Sequence, residues 1–192
     1  RNQGKDDKIY LYKIRDQGKD GKIYLYKIRD QGKDVKIYLY KTRDQGKDDK
    51  IYLIVGDIGY RVFDDFRQLH PDRFINMGVC EQSTIGVSAG MALQGLKPWV
   101  YTITPFLIER PFEQIKLDID QQNTNVKLVG YADYPTQGPT HAELSGPRLM
   151  RHFNNIASFF PGDGDETETM TNQAYQIYGP AFISLKSDPT LI

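Results

Sequence analysis

Cysteine is almost absent from this chain. The single residue, Cys80, excludes an internal disulfide framework in 192 residues and suits a reducing compartment such as the cytoplasm. Long apolar runs are missing too. No stretch approaches the roughly 18 residues that a membrane helix needs, and no apolar signal-peptide core follows the N-terminus. A mean hydropathy of −0.56 points to a chain that folds in water. The chain opens on Arg1 rather than Met, as a fragment or a processed form does. Net charge is also lacking: 25 Lys+Arg balance 25 Asp+Glu. That balance hides an asymmetry. Residues 1–50 carry 15 basic against 9 acidic side chains, and the remainder carries 10 against 16. The two parts differ in kind and are read separately.

The first part is repetitive. Arg1, Arg15, Arg29 and Arg43 each open a copy of a 14-residue unit, RDQGKDxKIYLYKI. Each copy has a turn-forming DQGKD stretch and a β-prone KIYLYKI stretch, so short hairpins in a meander are one expectation. Interleaved Lys and Tyr would suit a single-stranded nucleic acid. Yet the last copy runs through Lys50-Ile51-Tyr52-Leu53 straight into IVGDIGY, which reads as a first core strand. The upstream copies therefore read as duplications of that strand and its leading loop, and nucleic acid is not the expected partner. The period matches no common solenoid. Residues 1–49 are expected to be an appendage and residues 50–192 the domain.

From residue 51 strand and helix patterns alternate. Strands are expected at 51–55, 74–77, 98–103, 126–130 and 181–185. Helices are expected at 62–69, 81–94 and 112–122, the last with Ile115 and Ile119 inward. The small residues Gly86, Ala89, Gly90 and Ala92 predict that the second helix packs closely on its neighbours. This alternation implies an α/β fold, a parallel sheet with helices on both faces. Ligands on such sheets bind at the carboxyl ends of the strands. Asp57, Glu81 and Phe106 fall at those ends, with Arg110 and His141 close behind. An acid and a His can move protons, and a Phe can stack on a flat ring. Simpler roles stay open for each. Glu81 can complement the helix dipole, Phe106 can be core, Arg110 can pair with Glu113, His141 can be a loop residue, and Asp57 can cap a helix.

The segments GDIGY, PDRFINMGVCEQSTIGVSAGMALQG, PFLIERPFEQIKLDI, NVKLVG and GPTH follow one another in the order and spacing of one family. Over about residues 50–188 the chain resembles the pyrimidine-binding domain of transketolase and 1-deoxyxylulose-5-phosphate synthase. The resemblance implies the thiamine-diphosphate-binding fold, and thiamine diphosphate as cofactor. At the position of Glu81 the family has the glutamate that protonates a pyrimidine ring nitrogen. This makes the exocyclic amine basic enough to take the proton of the thiazolium carbon. A carboxylic acid keeps its proton near neutral pH only when desolvated. Phe106 matches the aromatic that stacks on the pyrimidine, and His141 the His of the GPTH loop, which faces the substrate. Arg110 matches an Arg just after the aromatic, one residue further on than in the family pattern. Asp57 lies where the family's first strand ends near the cofactor. Asp57, Phe106 and Arg110 are thus the implied cofactor-binding residues, and Glu81 and His141 the implied catalytic ones.

The chain departs from the family after GPTH, where a second His and an acidic pair are replaced by Ala142 and Ser145-Gly146. The 130–138 loop is short. In the family a separate domain holds the diphosphate and its divalent metal, such as magnesium, on a GDG motif with an Asn some residues on. Gly162-Asp163-Gly164 imitates that motif but sits in FFPGDGDETE, near the end of the pyrimidine domain, so no metal ligand is expected on this chain. The resemblance implies half of a transferase site, completed by a diphosphate-binding domain or subunit in a homo- or hetero-oligomer, a dimer at least. A small-molecule substrate is implied. The alternative is a non-catalytic relic that keeps the fold as a binding module.

Overall fold

The computed structural model describes residues 48–59, 62–131, 138–142 and 145–186, together with the backbone of 25–30 and 33–38. These last two segments are β1 (Leu25–Asp30) and β2 (Lys33–Tyr38), an antiparallel pair within the repeat. The rest of the repeat lies outside the described residues, and with it the expected meander.

Six parallel strands form the main sheet: β3 (Ile51–Val55), β4 (Phe74–Asn76), β5 (Lys97–Ile103), β6 (Lys127–Tyr131), β7 (Ala157–Phe159) and β8 (Ala181–Leu185), in the order β4-β3-β5-β6-β8-β7. The helices are α1 (Asp64–Leu69), α2 (Glu81–Leu93), α3 (Thr104–Ile108), α4 (Phe112–Gln114), which continues as a π-helix over Ile115–Asp120, α5 (Gly146–Met150) and α6 (Gly164–Gln176). Successive strand side chains point to opposite faces. Ile51, Leu53 and Val55 of β3 pack with Trp99, Tyr101, Ile183 and Leu185 against Phe63, Phe66 and Ala174. Ile54, Val100, Leu128 and Phe182 face the other way, onto Ile85, Ala89, Leu107, Ile108, Ile115 and Ile119. Helices cover both faces, as the alternation implies. Each aliphatic side chain sealed in either layer contributes about 1.5–3 kcal/mol.

The strand order sets the site. From β3 the chain crosses outward to β4. After α2 it returns past β3 to β5 and then moves the other way to β6. The direction of winding therefore reverses between β3 and β5, and a crevice opens at their carboxyl ends. The opposite edge of the sheet is pinned by charge. The fully buried Lys127 donates from Nζ to Asn125 Oδ1 and to the carbonyls of Ile177 and Gly179. Burial, with a smaller contribution from the charge of Lys97, pushes this ammonium down to about 8. Asp48 accepts from Lys97 Nζ at 2.6 Å and from the Tyr175 hydroxyl at 2.9 Å. Burial alone would raise the Asp48 carboxyl. Those hydrogen bonds and the Lys97 charge outweigh it and hold the group below its ordinary value. Asp48 is thus bound into the domain two residues before the expected boundary.

Candidate active site

Glu81 is the first residue of α2, at the helix end where the dipole favours an acid. Its side chain is only 10% exposed. It lines a small recess with Gly56, Thr84, Ile85, Thr102 and Leu107, directly at the β3–β5 crevice. The Thr102 hydroxyl in that recess is buried and has no hydrogen-bond partner among the described residues. A Cβ on Gly56 would come within 3.1 Å of that hydroxyl, so glycine keeps the recess open. Along α2 the hydroxyls of Thr84 and Ser88 bond back to the carbonyls of Cys80 and Thr84, which satisfies them on the buried face.

Phe106 is not in a loop after β5 but on α3, a short helix that starts at Thr104 with Pro105 in its first turn. Gly130 of β6 allows that helix to sit so close. A Cβ there would meet the Thr104 Cα at 3.1 Å. Phe106 is half-buried and carries partners on two sides. The Arg110 guanidinium lies over its ring, with Cζ 3.6 Å from the centroid. The His141 imidazole meets it edge-on at 4.8 Å and 64°. Arg110 also donates to Glu81 Oε1 at 2.7 Å. Its acidic partner is therefore Glu81, not Glu113. Four of the five expected residues form one connected group, Glu81–Arg110–Phe106–His141. His141 sits in a turn closed by its own N–H to the Gly138 carbonyl, with Nδ1 3.0 Å from the Thr140 hydroxyl.

Asp57 stands at the rim. It has a left-handed φ of 53°, which Asp tolerates better than most residues. Its hydrogen bonds run to Asn76, a residue that sequence reading passed over. Asn76 Oδ1 accepts from the backbone N–H of Asp57 and of Gly78, each at 3.0 Å, and its Nδ2 donates to Asp57 Oδ1 at 3.3 Å. One amide thus joins the loops after β3 and β4 just ahead of Glu81. The signal available was an Asn at a strand end two residues before a glycine. The GDG segment is a helix cap. Asp163 Oδ1 accepts from the Glu166 N–H at 2.9 Å, and Glu166 Oε2 accepts from the Gly162 N–H at 2.8 Å. Among the described residues no group of three or more His, Cys, Asp or Glu side chains could hold a metal ion. No helix there is long and apolar enough to cross a membrane.

Packing of α2 differs in one respect from expectation. Ala89 is buried, but Gly86 and Gly90 face open space within this chain. Val79, Val87 and Leu93 are exposed nearby.

The sequence profile described as transketolase, pyrimidine binding domain, matches residues 45–188. One of the two kinds of subunit of an apulose-4-phosphate transketolase, from Actinobacillus succinogenes, is 40% identical over 118 residues, which is 60% of this chain and 38% of that protein. The 1-deoxy-D-xylulose-5-phosphate synthase of Syntrophomonas wolfei is 33% identical over 126 residues, 62% of this chain and 19% of that one. Among solved structures, a split-gene transketolase described as an inactive β4 tetramer superposes with a TM-score of 0.66 at 32% identity, covering 74% of this chain and 47% of that chain. The chain spans less than half the length of each.

Proposed function

Because this chain belongs to the transketolase family, through its pyrimidine-binding domain, we propose that it supplies the pyrimidine seat of a thiamine-diphosphate-dependent transketolase-like enzyme. The observation that carries the reading is the pairing of a nearly buried acid with a half-buried aromatic across a recess at the winding reversal. A flat heterocycle bearing ring nitrogens and an amine suits that set, and the orphan Thr102 hydroxyl adds one more polar contact. When bound, the cofactor supplies electron-sink chemistry at its thiazolium carbon, for transfer of a two-carbon ketol or related acyl-anion unit. Glu81 is assigned to hold a proton on a ring nitrogen, Phe106 to stack on the ring, and His141 to face the small-molecule substrate. Arg110 and Asp57 border the seat.

A partner completes the site. The diphosphate and a divalent metal such as magnesium are assigned to a diphosphate-binding domain or subunit, in a homo- or hetero-oligomer. The uncovered apolar side of α2, beginning beside Glu81, supports this. So does the name of the Actinobacillus relative, which makes that protein a subunit of its enzyme. Cys80 is a free thiol, which suits a reducing cytoplasm. The test is reconstitution with the diphosphate-binding partner. Glu81→Gln should lower turnover by at least about a hundredfold while the melting temperature stays put. Near-normal turnover would remove Glu81 from its role.

A further inference from the structure

The acid and the aromatic of the proposed seat are already in use by the chain itself. A guanidinium is a flat N–C–N group with donors along its edge, as an aminopyrimidine is over its amidine portion. Arg110 lays that group on Phe106 with Cζ 3.6 Å from the ring centroid, and points Nη1 at Glu81 Oε1 at 2.7 Å. Both contacts are those assigned above to the cofactor ring, and one aromatic face with one carboxylate oxygen cannot serve both groups at once. We infer that Arg110 is a self-docked stand-in for the pyrimidine, a plug that leaves the seat when the cofactor enters. The inference rests on the pyrimidine reading of the site.

Exposure supports a removable plug. The Arg110 side chain is 39% exposed, against 10% for the Glu81 side chain it covers. The next residue, Pro111, is buried and lines the recess, so the backbone is fixed and a side-chain rotation suffices. The plug has a use in the empty seat: a nearly buried carboxylate with no partner is costly, and Arg110 supplies one. It also opposes binding, because apparent affinity falls by the fraction of molecules with the seat open.

The test uses the full chain and thiamine. An exposed ion pair and a cation–π contact of this kind oppose entry by about fivefold together. Arg110→Met, which keeps length but not charge, should therefore bind thiamine about fivefold more tightly than wild type, and Glu81→Gln more weakly. In the ligand-free chain the Arg110 side-chain NMR signals should carry a ring-current shift that Phe106→Leu abolishes and thiamine removes. Weaker or equal binding by Arg110→Met, with wild type binding normally, would overturn the plug and leave the pyrimidine seat standing. Arg110 signals at the values of a solvent-exposed arginine in the ligand-free chain would do the same. Absence of thiamine binding in every variant would overturn the seat and the plug with it.

Discussion

Asn76 shows how much one side chain can hold. Its carboxamide ties the turn after β3 to the turn that delivers Glu81. Asn76→Ala removes two acceptor contacts of about 1 kcal/mol each from backbone N–H groups. We expect a loss of about 1–2 kcal/mol in denaturant unfolding, and hydrogen exchange should speed up at Gly78 and Asp57 more than in β6. Protection unchanged at both would mean the amide does not organise the loops. Lys127 makes a separate prediction at the far edge. Its folded value of about 8 lies below that of an ordinary lysine. Between those two values the unfolded chain binds a proton that the folded chain has released, so the Lys127 contribution to stability rises with pH through that window. Lys127→Met should flatten this rise and should also destabilise at neutral pH, because the Ile177 and Gly179 carbonyls lose their donor. Urea melts of both proteins from neutral to alkaline pH check this, and equal pH slopes would refute it.

At the scale of elements, the strands and α2 were legible because their burial is simple. The core strands are buried on both faces and read as apolar runs, and the π-helical segment keeps Ile115 and Ile119 fully buried as expected. Helix α6 was not legible. Its inward positions are Thr167, Thr171 and Ala174, so no large apolar side chains mark a helical period. Helix α3 was hidden by its length and by Pro105, which reads as a break but occupies the first turn. The candidate site followed the same logic. Glu81, Phe106, Arg110 and His141 stood out by type and place, whereas Asn76 acts only through loops that are distant in sequence. The small residues of α2 revealed a bare surface rather than an internal contact, since no other element of the described chain covers Gly86 or Gly90. Two substitutions test how elements set the site. Gly130→Ala pushes a methyl onto Thr104 and should displace α3, which weakens thiamine binding more than it lowers stability; unchanged affinity would uncouple α3 from the seat. Asp163→Ala removes the α6 cap and should cost about 1 kcal/mol with no effect on thiamine binding. Lost binding there would mean that GDG is more than a cap.

For the whole molecule, the account separates a folded α/β unit from the copies that precede it. The domain's own contacts begin at Asp48, whose carboxylate is kept ionised by Lys97 and Tyr175. Its stabilising contribution is present above the ordinary carboxylate range and is lost as pH falls through its lowered value. Deletion of residues 1–42 should leave a single cooperative melt, and loss of that melt would give the repeats a structural role. The central claim is that a pyrimidine sits between Glu81 and Phe106 at the reversal of the sheet. The most direct measurement is the set of intermolecular NOEs between thiamine and the full chain. Contacts from the pyrimidine methyl group to Phe106 and to the Thr102 or Ile85 methyls, weakened in Glu81→Gln, are the predicted result. Contacts confined to another surface, or none while the chain remains folded, would contradict it.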